Sequence, residues 1–232
     1  MEDRLQTQYA GYAGGGALAS QRNKVLRNTY WLLALSLVPT VLGAWIGVST
    51  GIMAAMGTGM SLVVFLVGAF GLMFAVEKTK HSSTGVVMLL AFTFFMGLML
   101  SRLLATILGF SNGAQLIMTA FGGTAVVFFG MASLATVVKR DLSGMGKFLF
   151  VGVLLLLVAG IVNVFLQSSA LMMTLSVVAI AIFSAFMLYD IKRVIDGGET
   201  NYISATLAIY LDIYNVFQSL LALLGIFGGE RD

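Results

Sequence analysis

Cysteine is absent from this chain of 232 residues, and histidine occurs only once, at His81. The absence of cysteine excludes a disulfide framework, a thiolate metal site and a cysteine nucleophile. A single histidine does not build a histidine-rich metal site. Charged residues make up only 10% of the chain, whereas a soluble domain carries about 25%. These shortages predict that the chain is not an ordinary soluble domain.

Apolar residues dominate the chain at 59%, and they are concentrated in seven runs. Each run is close to the roughly 20 residues that a helix needs to cross a hydrocarbon core about 30 Å thick. The runs lie at about 29–48, 53–76, 84–108, 114–138, 147–167, 171–192 and 202–227. We therefore predict an all-α, polytopic integral membrane protein with seven transmembrane helices in a lipid bilayer.

The segments outside the runs predict domains and orientation. Residues 1–27 are polar and rich in glycine, which indicates a flexible cytoplasmic tail before a transmembrane domain over 28–232. Eleven of the 13 lysines and arginines lie in the tail or after the second, fourth and sixth runs: Arg4, Arg22, Lys24, Arg27, Lys78, Lys80, Lys139, Arg140, Lys147, Lys192 and Arg193. The positive-inside rule then places the N-terminus in the cytoplasm and the C-terminus outside. The net charge of +3 is a topology signal and does not indicate a nucleic-acid partner.

Two aspartates interrupt the apolar runs: Asp190 near the end of the sixth run and Asp212 deep inside the seventh. An ionisable side chain within a membrane span is costly to bury and usually marks a functional site. In an ideal antiparallel hairpin, helix rise puts Asp190 about 10 Å and Asp212 about 18 Å from the turn. Their depths then differ by roughly 8 Å, so contact would need helix tilt or an unwound turn.

Polar residues accompany Asp212 along the last helix. Ser204, Ala208, Asp212, Asn215 and Ser219 recur at intervals of three or four residues, which places them on one stripe. A polar stripe on a membrane helix faces the bundle interior or a water-filled cavity rather than lipid. We therefore expect Asp212 to be buried, with Ser204, Asn215 and Ser219 as supporting residues.

The chemistry of the two acids depends on whether they meet. In contact, repulsion and desolvation disfavour two ionised carboxylates, so the pair would hold one proton near neutral pH and act as a pH-sensitive gate. An open pair would attract a hard cation such as calcium, which makes Asp190 and Asp212 candidate ligands for transient Ca²⁺. Apart, Asp212 would be protonated, and Asp190 would be solvated or paired with a basic residue (Lys78, Lys139 or Arg193).

Enzymatic motifs are missing: there is no phosphate-binding glycine loop, no HExxH and no nucleophile with a histidine base. An intramembrane protease with two catalytic aspartates is the one enzyme that the acids suggest. Asp190 does follow a tyrosine, but Asp212 lacks a GxGD context, and no Pro-Ala-Leu segment comes after it. We therefore predict a protein that is not an enzyme and has no resident cofactor.

Five segments resemble the Bax-inhibitor-type (transmembrane Bax inhibitor motif) family, in its bacterial branch. They read KVLRNTY, GLMF, FGGTA, GGETNYI and IYNVF, at residues 24–30, 71–74, 121–125, 197–203 and 213–217. The resemblance implies a seven-helix bundle with a central C-terminal helix. It also implies two activities. Some members modulate the FtsH membrane protease, and their cytoplasmic tail matters for that interaction. Others are pH-gated calcium leaks governed by two acids, which correspond here to Asp190 and Asp212.

The resemblance further implies a latch in leak-type members. In this latch an arginine at the cytoplasmic end of the second span pairs with one aspartate. This chain has Glu77 and Lys78 there, which makes them candidate latch residues. Arg102, inside the third run, is either a counter-ion in the bundle or a side chain that reaches the outer headgroups. We predict a modulator of an FtsH-type protease in the bacterial inner membrane. The alternative is an acid-sensitive calcium or proton leak through the last two helices.

Overall fold

The computed structural model describes residues 2–229, with side chains from Ser20 onwards. These residues form eight α-helices and no strand: α1 (Glu2–Thr50), α2 (Ile52–Ala55), α3 (Thr58–Thr79), α4 (Ser83–Leu108), α5 (Gly113–Val137), α6 (Met145–Leu166), α7 (Ser169–Ile195) and α8 (Tyr202–Gly228). Seven are long and apolar enough to cross a membrane, with the span of α1 beginning at Ser20. The prediction of an all-α, polytopic membrane protein with seven spans is confirmed.

The shortest connection between spans joins α6 to α7. Gln167 turns the chain with a positive φ of 54°, and the hydroxyl of Ser168 caps α7 by accepting from the backbone N–H of Leu171 at 3.3 Å. The backbone N–H of Ser168 donates to the side chain of Asn163 at 3.1 Å. Two residues reverse the chain here because neighbouring side chains satisfy polar groups at both helix ends.

The C-terminal helix α8 lies at the centre of the bundle. It packs against α1, α3, α4, α5 and α7, and it contributes the largest set of buried residues. By contrast, α6 packs chiefly on α7, and none of its residues is buried. The central position of the last helix agrees with what the family resemblance implied.

Glycines allow α1 and α4 to form the most extensive helix pair of the bundle. A Cβ atom on Gly97 would overlap the carbonyl of Thr40, and one on Gly43 would overlap the carbonyl of Phe94. Lipid is as apolar as leucine, so close packing at small residues, rather than burial of leucine, holds membrane helices together. The two backbones in contact form a wall against which α8 packs.

The predicted tail, residues 1–27, coincides with the first part of α1. The backbone is helical from Glu2, so the predicted boundary at residue 28 falls inside a helix. Val25 is buried in a cluster with Val194 of α7 and Ala205 of α8. This part of α1 therefore rests on the junction of α7 and α8, while the flexibility and cytoplasmic location of the tail stay predictions.

The loops with charged residues meet at one end of the bundle. The side-chain N–H of Asn201, before α8, donates to the carbonyl of Lys80, between α3 and α4, at 2.9 Å. Asp141, between α5 and α6, lines a cavity together with Lys192 of α7. The three loops at the other end carry no charged residue. We call the end with the charged loops the charged end of the bundle and the opposite end the uncharged end.

Candidate functional site at the α7–α8 turn

A well-capped turn joins the two helices that carry the acids. The backbone N–H groups of Gly197 and Gly198 bond to carbonyls in the last turn of α7, at 3.1 and 2.8 Å. This Schellman arrangement needs a left-handed residue, which Gly197 supplies with a φ of 82°. The side chain of Asn201 then caps α8 by accepting from two backbone N–H groups, at 2.9 and 3.1 Å. The turn therefore fixes the register between α7 and α8.

This register brings the carboxyl groups of Asp190 and Asp212 close enough for each to act on the charge of the other. A carboxylate only accepts hydrogen bonds, so a bond between two carboxyl groups requires a proton on one of them. Asp212 is only 4% exposed, and Asp190 is partly buried. The pair of carboxyl groups therefore lies inside the bundle and not in bulk water.

The difference in depth of roughly 8 Å that an ideal hairpin predicts is absent. α7 ends five residues after Asp190, and α8 begins ten residues before Asp212. Level carboxyls therefore need α8 to begin about 7.5 Å further from the membrane centre than α7 ends. Residues 196–201 cover that distance easily, since one extended residue spans about 3.3 Å. An offset of this size between the two helix ends would account for the contact.

Two tyrosines on either side of Asp212 hold α8 against the wall of α1 and α4. The hydroxyl of Tyr210 lies 2.9 Å from Oγ1 of Thr40 on α1. The hydroxyl of Tyr214 donates to the carbonyl of Met96 on α4 at 3.2 Å. Both rings are buried. Asp212 therefore belongs to an anchored helix, and the contact between the acids depends on where α7 lies relative to it.

Arg193 is the basic residue beside the acid pair. It follows Asp190 by three residues on α7, and its guanidinium lies 3.2 Å from Oε2 of Glu199 in the turn. The charges of Arg193 and Glu199 both act on Asp190. The arginine side chain is 45% exposed and the glutamate 17% exposed, so this ion pair lies where the bundle interior meets water at the charged end.

Glu77, a candidate latch residue, also belongs to this cluster. It forms a salt bridge with Lys80 at 2.7 Å, and it lies beside the hydroxyl of Ser204 and close enough to Arg193 for their charges to interact. Glu77 thus faces Arg193 from α3, and it does not take the place of a latch arginine on an aspartate. The predicted residues Glu77 and Ser204 lie at the charged end above the acids.

Lys78 and Arg102 lie away from the acids. Lys78 is exposed at the end of α3. Arg102 is exposed as well and donates to Oγ1 of Thr58 at 3.4 Å. It lies 19 residues after the start of α4 at the charged end, or about 28 Å along the helix. The geometry therefore gives no support to a latch at Lys78 or a counter-ion at Arg102, and Arg102 is placed to reach the opposite membrane surface.

The rest of the predicted polar stripe does not bond to Asp212. The amide of Asn215 donates to the carbonyl of Leu211 on its own helix at 2.8 Å, and Ser219 is only partly buried. In the described part of the chain no N–H or hydroxyl group donates to the buried Oδ2 of Asp212. The carboxyl of Asp190 is the neighbouring group whose charge acts on Asp212.

The sequence predicted part of the charged cluster, with Glu77 as a candidate latch residue. It named Arg193 only as one of three possible partners of Asp190, and it did not single out Glu199. The spacing of Asp190 and Arg193 was a usable signal, because side chains three residues apart are neighbours on a helix. The bond between Arg193 and Glu199 crosses the turn and had no such periodicity to reveal it.

A cavity of about 290 Å³ opens at the charged end next to this cluster. The α5–α6 loop and the end of α7 line it through Asp141, Leu142, Ser143, Tyr189, Lys192, Arg193, Asp196 and Gly198. The backbone N–H and the hydroxyl of Ser143 bond to Asp141 and hold the pKa of that carboxyl below its usual range. The cavity therefore presents both charge signs and connects water with residues that neighbour Asp190.

A resident calcium ion does not fit the two acids by themselves. Ca²⁺ takes six to eight oxygen ligands, and the described residues hold no group of three or more His, Cys, Asp or Glu side chains. Asp190 and Asp212 offer four carboxyl oxygens, so carbonyls or water would have to supply the rest.

The sequence matches known proteins over nearly its whole length. The family described as "Inhibitor of apoptosis-promoting Bax1" matches residues 22–229. A protein named Modulator of FtsH protease YccA, from Escherichia coli K12, is 40% identical over 203 residues, which cover 88% of this chain and 90% of that protein. An uncharacterised membrane protein of Vibrio cholerae is 40% identical over 210 residues, or 89% and 91%. An uncharacterised protein of Pseudomonas aeruginosa is 39% identical over 221 residues, or 94% and 97%.

Proposed function

Because this chain belongs to the family of the inhibitor of apoptosis-promoting Bax1, we propose that it modulates an FtsH-type membrane protease and is not itself an enzyme. One observation carries the proposal: the 40% identity to the E. coli modulator of FtsH extends over 88% of this chain. The name "Inner membrane protein YccA" of a second E. coli relative supports a bacterial inner-membrane location.

We place the charged end in the cytoplasm, which puts the N-terminus inside and the C-terminus outside. The distribution of basic residues supports this placement, since they lie in the loops of one end, and the loops of the other end have none. At the charged end α1 presents exposed side chains from Ser20 to Asn23. This surface is where a cytoplasmic partner would meet the protein, directly above the α7–α8 turn.

Purified full-length protein reconstituted with an FtsH-type protease and one of its membrane substrates tests the proposal. We expect the protein to co-purify with the protease and to lengthen the half-life of the substrate. The variant Gln21→Ala/Asn23→Ala removes two exposed polar side chains at the charged end and is expected to weaken the effect. The variant Gln115→Ala/Thr119→Ala removes two at the uncharged end and serves as the control. No association and an unchanged half-life would reject the proposal.

A second candidate function is an acid-sensitive leak of calcium or protons through α7 and α8. The contact between Asp190 and Asp212 favours it, because gaining or losing one proton would make or break the bond between the helices. Three charged groups of the same cluster, Arg193, Glu199 and Glu77, would respond to that change. Calcium would then pass as a transient substrate of the pair and not as a cofactor.

Liposomes that hold the purified protein and a calcium indicator separate the two candidates. A leak predicts calcium entry that changes with pH and vanishes in Asp212→Asn, which keeps the size of the side chain but removes its ionisable group. Asn215→Ala, one turn further along the same helix, should conduct like the unmodified protein. Flat traces at every pH would exclude a calcium leak and leave the protease proposal untouched.

A further inference from the structure

One lipid-facing stripe of α1 combines two cations with a tryptophan. Lys24, Arg27 and Trp31 follow one another at intervals of three and four residues and therefore share a face of the helix. All three are exposed, Trp31 at 73%. The stripe continues through exposed apolar residues: Leu35, Val38, Leu42 and Trp45. An apolar face this exposed on a membrane span contacts lipid, so the cations at its end also face lipid.

The two tryptophans fix the depth of this stripe. The chain has only two, Trp31 and Trp45, and they are about 21 Å apart along the helix. Tryptophan concentrates at the two membrane interfaces. A hydrocarbon core about 30 Å thick, centred between them, has its boundary near residue 28. Arg27 then lies at that boundary, and Lys24 lies about 6 Å beyond it, in the headgroup layer.

The charges of Lys24 and Arg27 are not neutralised within the described part of the chain, where the salt bridges use Lys80, Lys192 and Arg193 instead. Arg22, close by in sequence, behaves differently, because its side chain packs against Gly197 in the α7–α8 turn. The two cations of the stripe are therefore available to a ligand outside the chain.

We propose that Lys24 and Arg27 bind the headgroup phosphate of an anionic phospholipid, with Trp31 packed against its glycerol and upper acyl region. Lysine and arginine bind phosphate oxygens through charge-assisted hydrogen bonds, and the lipid chains continue along the apolar part of the stripe. An acidic protein surface would match the two cations but not the apolar stripe below them. Because Val25 packs on the α7–α8 junction, a lipid held here fixes α1 over the turn above the acids.

Quenching of a single tryptophan by brominated lipid measures this binding in vesicles that hold the full chain. The Trp45→Phe background leaves Trp31 as the only reporter, and brominated phosphatidylglycerol is compared with brominated phosphatidylcholine. Each cation near an anionic headgroup is expected to contribute about five-fold, so we expect a preference for phosphatidylglycerol of about 25-fold. The preference should shrink as salt is added.

Matched variants decide the outcome. In Lys24→Gln/Arg27→Gln the preference should fall close to one, whereas in Lys139→Gln/Arg140→Gln, which alters two exposed cations elsewhere at the charged end, it should persist. An equal loss of the phosphatidylglycerol preference in both variants would overturn the proposal, since diffuse charge would then explain the preference. Loss of the preference on addition of free inorganic phosphate at constant ionic strength would also overturn it. The proposal would also be overturned if the protein with both cations showed no lipid preference and Lys24→Gln/Arg27→Gln no longer co-purified with the protease. That result would indicate an acidic protein partner.

Discussion

The helices α6 and α8 are both long enough and apolar enough to cross a membrane, yet they lie in opposite environments. α6 has the highest mean hydropathy of the seven spans and no buried residue. α8 has the lowest mean hydropathy and is surrounded by five helices. In a water-soluble bundle the more apolar helix would be inside. Lipid reverses this order, because it solvates leucine as well as protein does, whereas polar groups gain by leaving it.

The comparison shows where function is concentrated in this protein. Three polar side chains of α8 interact with other helices: Asp212 with α7, Tyr210 with α1 and Tyr214 with α4. No residue of α6 is buried, and this helix is attached to the bundle through α7. α6 therefore serves as an outer lipid-facing layer on the helix that carries Asp190.

Replacement of glycine by alanine should give the largest difference in stability between the bundle interior and the peripheral helix α6. Gly97→Ala places a methyl group on the carbonyl of Thr40 in the wall of α1 and α4, and overpacking of this kind costs about 3 kcal/mol. Gly160→Ala on α6 meets no atom within 4 Å and gains helix propensity. Thermal unfolding in detergent should show a large drop for Gly97→Ala only. Equal effects would mean that glycine contacts do not hold the wall together.

Truncation of leucine to alanine should give a smaller difference in stability between α8 and α6, again with the larger loss in the interior. Leu221 on α8 is fully buried, and Leu155 on α6 is 66% exposed to lipid. Leu221→Ala leaves a cavity and should lower the free energy of unfolding by about 2 to 3 kcal/mol. In Leu155→Ala the shortened side chain still contacts lipid, so the free energy of unfolding should change by no more than about 0.5 kcal/mol. A costly Leu155→Ala would place α6 against a partner, such as a second copy of the chain.

Loss of a single hydroxyl from α8 should have the smallest measurable effect. Tyr210→Phe removes the 2.9 Å bond to Thr40, which is expected to cost about 1 kcal/mol. Thr40→Val should cost a similar amount, and the double variant should cost little more than either single one. Thr174→Val, at an exposed position with a bond only inside its own helix, is the control. Fully additive effects of Tyr210→Phe and Thr40→Val would show that the hydroxyls act independently.

The seven spans could be predicted from the sequence, because each needs only a local run of apolar residues near the length set by the bilayer. The burial of Asp212 could be predicted as well, since a charge facing lipid is costly wherever the helix lies. Both inferences depend on composition within one segment and on the thickness of the membrane, and neither requires knowledge of how helices meet.

The contact between Asp190 and Asp212 could not be predicted, because it depends on the offset between the ends of α7 and α8. An ideal hairpin sets that offset to zero, whereas the six residues of the turn allow α8 to begin further out. The bond between Arg193 and Glu199 depends on the same turn. Local patterns locate polar residues along a helix, but the pairing between helices is set by the caps and length of the connection.

A hydrogen bond between the carboxyl groups of Asp190 and Asp212 requires one proton shared by the two side chains. Infrared difference spectroscopy across a pH titration detects such a proton most directly. The full-length protein should show a protonated carboxyl band that is lost or shifted in both Asp190→Asn and Asp212→Asn, because either change removes one partner of the bond. A band that stays unchanged in Asp190→Asn would show that Asp212 holds its proton alone, and it would contradict the paired site.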